Sequence, residues 1–190
     1  MKLLGLTIYE WTLVVFTIII GFVLPKYFFL TTFVLMWVYM ISTKRIKSIK
    51  RYAISTALAF IWVLLANNFY SYNQNFLTFF GFATFPFFGW AIGLYGMHMF
   101  FSGLDEYFKT ATFAVRFLLF CFFFWVILLV SESFAFNFFN VQNITSTTYA
   151  GIKFCNCLHA PLWMQISYFV LGPLFYLISK LFKIEKFSEE

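Results

Sequence analysis

From Tyr52 to Leu104 the chain carries no Lys, Arg, Asp or Glu, 53 uncharged residues in a row. Ordinary globular sequences are about one quarter charged, whereas this 190-residue chain is 11% charged and 63% hydrophobic. One crossing of a hydrocarbon layer about 30 Å thick takes about 20 residues, so the run holds two crossings and a turn. The chain therefore reads as a polytopic membrane protein rather than a soluble domain.

Charge and turn signals cut out six apolar stretches: Leu3 to Leu24, Tyr27 to Thr43, Tyr52 to Phe69, Phe76 to Phe101, Thr110 to Val130 and Leu162 to Phe182. All six are predicted to be helices, because backbone groups in lipid must be satisfied internally and the short alternating segments of a barrel are absent. The expected fold is an all-α bundle of six transmembrane helices forming one domain over residues 1–182. A polar tail, 183–190, follows. The first stretch exceeds the apolar core of a signal peptide and runs directly into Pro25-Lys26-Tyr27, so it is expected to be a retained span.

Cytoplasmic loops collect basic residues. With the amino terminus inside, Lys2, the group Lys44, Arg45, Lys47, Lys50 and Arg51, then Lys109, Lys180, Lys183 and Lys186 share one side. Lys26 and Lys153 fall opposite, and Arg116 lies within the fifth stretch. Both termini are thus expected to be cytoplasmic, or matrix or stromal in an organelle. The membrane would be the plasma membrane or an organellar inner membrane. This asymmetry explains the basic pI through attraction to anionic lipid head groups, and nucleic acid is not an expected partner. The long connection from Ser131 to Ala160 is expected either to lie partly in the membrane interface or to fold over the outer mouth of the bundle.

Glu10 and Arg116 sit at matching depths in the first and fifth stretches, which suggests an intramembrane ion pair, either structural or part of a site. His98 stands near the inner end of the fourth stretch. The second histidine, His159, falls on the opposite side, which argues against a haem or two-His metal site. On the outer side Glu132, His159 and Cys155-Asn156-Cys157 could form an acid–base or metal cluster. The Cys-x-Cys spacing is not that of a redox or zinc motif, however, and a disulfide across it is expected to be strained. Neither a metal nor a cofactor is expected. Asn143-Ile144-Thr145 matches a glycosylation sequon, a tripeptide too common to be informative. The 32 Phe suit either an apolar ligand slot or simple enrichment of the type.

The three outward hairpins share an order of residues. Trp62 precedes Asn68-Phe69-Tyr70 and Pro86-Phe87-Phe88-Gly89-Trp90, and Trp125 precedes Asn137-Phe138-Phe139 and Pro161-Leu162-Trp163. This is either a duplication or the independent preference of Trp and Pro for helix ends. The segment from Ile61 to Tyr95, with Asn68-Phe69-Tyr70-Ser71-Tyr72-Asn73, Gly81 and Phe85-Pro86-Phe87-Phe88-Gly89-Trp90, resembles the small membrane-embedded carotenoid enzymes of the lycopene-cyclase type and their hydratase relatives. The segment from Trp125 to Trp163 resembles them more faintly. The resemblance implies that Asn73, Gly81 and Pro86 shape a loop and a helix start. Where that pattern has paired carboxylates, this chain has Phe87 and Phe88, so the acid would have to be Glu10 or Glu132.

Two functions follow as expectations. The first is a protein that binds or transforms an apolar isoprenoid- or carotenoid-like lipid in the bilayer, as a cyclase- or hydratase-like lyase or isomerase if it is an enzyme. Its candidate catalytic residues are Glu132, Glu10 and His159, and its candidate substrate contacts are Arg116, His98, Asn73, Trp90 and Trp163. The second is a non-catalytic subunit of a larger membrane complex, with membrane-protein partners. Ion transport ranks third, because Glu10, Arg116 and His98 share one depth.

Overall fold

A computed structural model describes residues 2, 3, 6, 7, 12, 15–17, 19, 20, 23–108, 110–137, 139–145 and 148–182. Near the amino terminus a two-residue hairpin pairs β1 (Lys2–Leu3) with β2 (Leu6–Thr7), so the first stretch is not helical from Leu3 as expected. Residues 12, 15–17, 19, 20 and 23 are helical. A 3-10 turn at Pro25–Tyr27 then leads into α1 (Phe28–Ser42). The remaining helices are α2 (Ile46–Ala66), α3 (Thr84–Asp105), α4 (Phe113–Asn137) and α5 (Leu162–Leu181). Among the described residues, three helical segments are long and apolar enough to cross a membrane: Ile46–Phe69, Phe113–Asn137 and Leu162–Leu181. α1, at 15 residues, is about 22 Å long and shorter than a hydrocarbon core. α3 is long enough but is diluted by Pro86, His98 and glycines.

Four boundaries depart from the hydropathy reading, each for a local reason. α2 starts at Ile46, ahead of the expected Tyr52, because Lys44 turns the chain with φ 55° and the helix takes in Lys47, Lys50 and Arg51. Arg51 is fully buried there, beside buried Ser48 and Ser55 on the same helix. α3 starts at Thr84 instead of Phe76. The intervening chain forms a hairpin of β3 (Thr78–Phe79) and β4 (Phe82–Ala83), turned at Gly81 with φ 77°. Asn67 holds that hairpin by donating from Nδ2 to the Gly81 carbonyl at 2.9 Å and accepting the Ala83 N–H at 2.9 Å. α4 continues to Asn137, whose amide donates to the Ser133 carbonyl at 2.9 Å, so Glu132 lies inside a helix instead of ending it. The same helix begins at Phe113, which puts Arg116 in its first turn, not deep in a span.

α3 is the hub. It packs most extensively on α2, and also on α1, α4 and α5. The main core is built from Trp62 and Val63 of α2, Leu94 and Met97 of α3, Phe120 and Phe124 of α4, and Met164, Tyr168 and Phe175 of α5. A smaller core joins Met40, Tyr52 and Tyr95. Its aromatic rings meet at centroid distances near 5 Å, 5.1 Å for Tyr52 and Tyr95 and 5.1 Å for Trp37 and Tyr52, within the range of favourable edge and offset contacts. Gly89, Gly93 and Gly96 of α3 are not points of close helix contact, since a Cβ at any of them would meet nothing within 4 Å. The close approach occurs at Gly172 instead, which lies against the Phe124 ring.

Candidate functional site

The carboxyl end of α2, the amino end of α3, the carboxyl end of α4 and the amino end of α5 share one end of the bundle, and their loops interlock there. Asn73 N–H donates to the Gln142 carbonyl at 2.9 Å, Asn73 Nδ2 donates to the Asn140 carbonyl at 2.8 Å, and Asn73 Oδ1 accepts the Gln142 N–H at 3.0 Å. Reciprocally, Asn143 Oδ1 accepts the Ser71 N–H at 2.9 Å and its Nδ2 donates to the Phe69 carbonyl at 2.6 Å. A bridge between Tyr72 and Asn143 completes the seam. Each loop therefore satisfies backbone groups of the other, which lowers the cost of laying both over an apolar bundle. The sequon asparagine is thus committed through both ends of its side chain.

Beneath this seam is a cavity of about 360 Å³, within the roughly 300–1,000 Å³ of small-molecule sites. α3 contributes Phe85, Pro86, Gly89, Trp90 and Gly93, the glycines leaving room where side chains would stand. α4 contributes Phe124, Leu128, Ser131, Glu132 and Phe136, and α5 contributes Tyr168. The loops add Tyr70, Tyr72, Asn143 and His159. Trp90 stacks on Tyr168 at 5.2 Å, and Tyr70 stacks on Tyr72 at 6.2 Å with planes 7° apart.

The polar groups differ in how far they are satisfied. Tyr70 Oη accepts the Trp62 Nε1–H at 2.8 Å and lies 3.3 Å from Tyr168 Oη, so the phenols are already engaged. Burial pushes the Tyr70 phenol up to about 12, with a smaller contribution in the same direction from Glu132. Burial raises the Tyr72 phenol well above its usual value too. His159 Nδ1 lies 3.1 Å from the Tyr149 carbonyl, which can only accept, so Nδ1 carries the proton. Nε2 is buried and without a hydrogen-bond partner among the described residues. The ring stacks on Phe136 at 4.6 Å. It fits there because residue 151 is glycine, where a Cβ would come within 2.8 Å of Nε2 and Cε1. The Glu132 carboxyl lies within electrostatic reach of Tyr70 and Tyr72, and no hydrogen bond or ion pair engages it among the described residues.

Of the residues anticipated from sequence, Glu132, His159 and Trp90 meet in this cavity. Asn73 does not line it but closes the loops above it. Trp163 packs outside, 5.8 Å from Trp62 and 5.4 Å from Phe69. His98 is remote, with Nε2 3.3 Å from Ser102 Oγ and its ring edge-on to Phe175, and Arg116 is in the first turn of α4. Glu10 lies outside the described residues. Cys155 and Cys157 form a disulfide despite their spacing, across a turn in which Asn156 adopts φ 46°. Their thiolates are therefore not metal ligands, and no group of three or more His, Cys, Asp or Glu able to hold a metal occurs among the described residues. Sequence reasoning missed Tyr70, Tyr72, Tyr168 and Asn143. The Tyr-Ser-Tyr of the first loop and the sequon of the second were the available signals, and neither reveals that the two loops meet.

No family model matches the chain, and no curated protein or solved structure is significantly similar to it.

Proposed function

We propose that this chain is a six-span integral membrane protein with both termini on the cytoplasmic, matrix or stromal side, and that its cavity binds or transforms the end of an apolar isoprenoid-like lipid. The observation that carries the reading is the Glu132 carboxyl, which stands without a hydrogen-bond or ion-pair partner among the described residues in a cavity walled by aromatic rings. A whole polyene exceeds about 360 Å³, so only an end group enters and the remaining chain stays in lipid. The three apolar segments long enough to span support the membrane setting.

If the site is catalytic, protonated Glu132 adds its proton to a terminal alkene and leaves a tertiary carbocation facing Trp90 and Tyr168. Aromatic faces stabilise such charge electrostatically. Return of a proton from the neighbouring carbon to the Glu132 carboxylate yields an isomerised product, and attack of a second alkene of the same chain on the cation before that return yields a cyclised one, with no net change in composition. The test is native mass spectrometry of protein gently extracted from its own membrane, with the organic extract analysed for prenyl lipids and pigments. A retained polyene or prenyl lipid that Glu132→Gln binds but no longer converts supports the reading. Recovery only in a fixed-stoichiometry complex without such a lipid overturns it in favour of a structural subunit.

A further inference from the structure

We propose that the cavity also takes an organic cation, an alkylammonium group seated between the Glu132 carboxylate and the aromatic faces of Trp90, Tyr168 and Phe136. The inference takes from the preceding reading only that the cavity is a ligand site, and not that its ligand is an isoprenoid.

Charge balance is the first reason. An ionised carboxylate in an apolar enclosure is costly unless paired, and neither a Lys nor an Arg is among the residues that line this cavity. A bound cation supplies the missing counter-charge. A phosphate or carboxylate ligand would instead add like charge beside Glu132, and a neutral hydrocarbon would leave the carboxyl as it is. The second reason is the wall. Trp90, Tyr168 and Phe136 line the cavity together, on three different helices. Ring faces attract cations through their quadrupole, most strongly when water is excluded. The cavity lies at the end of the bundle where the loops meet, within reach of both a free amine and the choline or ethanolamine head of a lipid.

The test compares two probes of one shape. Benzyltrimethylammonium and neopentylbenzene differ by the replacement of N⁺ by carbon, and binding of each to the full chain in phosphatidylglycerol nanodiscs is measured by equilibrium dialysis. The cation is expected to bind at least about tenfold tighter. Glu132→Gln, which preserves shape, is expected to remove that preference while neopentylbenzene binding is retained, and Trp90→Leu to reduce it several-fold. Repeating the measurement in phosphatidylcholine nanodiscs separates the sources: competition by the lipid identifies a head group, and unchanged affinity identifies a free amine. Equal or tighter binding of neopentylbenzene, or a cation preference that survives Glu132→Gln, overturns the proposal while leaving the cavity a ligand site. Binding of neither probe overturns both the proposal and the reading of the cavity as a ligand site.

Discussion

Asn73 and Asn143 hold each other's loops: each uses its side-chain amide to bind backbone groups of the segment that carries the other, across a sequence separation of about 70 residues. The seam they make is the roof of the cavity. Asn143→Ala leaves the Ser71 N–H and the Phe69 carbonyl without their partner and is expected to cost about 1–3 kcal/mol, with Asn73→Ala, at a more exposed position, costing about 1 kcal/mol. Because either change releases the same seam, the double variant is expected to lose less than the sum of the two. Thermal melts of the three variants in one detergent measure this, and strict additivity would mean that the two asparagines act independently.

The same geometry predicts that the Asn143 sequon stays unmodified. Glycan transfer needs the amide nitrogen free, and here it donates to the Phe69 carbonyl at 2.6 Å. Expression through a eukaryotic secretory pathway followed by endoglycosidase treatment should produce no change in gel mobility. A shift abolished by Asn143→Gln would show that the loop is not docked when the chain is made.

Gly172 and Phe124 define the closest approach of α4 and α5, with the ring of one occupying the space of a side chain on the other. Gly172→Ala is expected to destabilise by roughly 1–3 kcal/mol through overpacking. Phe124→Leu should recover part of that loss in the Gly172→Ala background. If it does not, the cost comes from the helix backbone rather than from the ring.

Burial places the Tyr70 phenol at about 12 in the folded chain, above its ordinary value of 10.0. A raised folded value means that the stabilising contribution is complete below about pH 10 and is lost as pH rises toward 12, because the unfolded chain releases the proton first. The wild type should therefore lose stability relative to Tyr70→Phe across that window and not below it. An ultraviolet titration of the difference between the two proteins should show tyrosinate only near the upper end. Ionisation of Tyr70 near pH 10 would place this loop in water.

The Cys155–Cys157 disulfide closes a loop of three residues, so in the chain-entropy account it contributes only roughly 1–2 kcal/mol. Replacing both cysteines by serine should lower stability by about that amount and leave the helices intact by circular dichroism. His159 stands two residues further on. Loss of cation or lipid binding in the double serine variant, with the melt little changed, would locate the role of the bond in placing that ring.

Much of the fold was legible along the chain. The uncharged run from Tyr52 to Leu104 and the apolar stretches around residues 113–130 and 162–181 are helical where hydropathy places them, apart from residues 76–83, which hold the hairpin. Hydropathy failed at boundaries decided by side-chain chemistry. Asn67 stabilises a hairpin where Phe-rich chain reads as span, and α4 runs past Glu132 to Asn137, whose side chain bonds back to the Ser133 carbonyl. At the site, Glu132, His159 and Trp90 stood out as an acid at the outer end of the fifth stretch, one of only two histidines and a tryptophan shortly after Pro86. The tyrosines did not, because a tyrosine in an aromatic-rich chain carries no local mark of the cavity it faces.

What the amino-acid order determined by itself is the class of structure: long apolar segments with little charge must hydrogen-bond their own backbone, and the helix is the solution that needs no partner. What only the tertiary structure decided is which segments touch. The Asn73–Asn143 seam, the Gly172–Phe124 contact and the meeting of Glu132, Trp90 and His159 each join residues well separated along the chain. Hydropathy and periodicity are sums over neighbours in sequence and are blind to such pairs, whereas packing selects them by shape and by the need to satisfy every buried polar group.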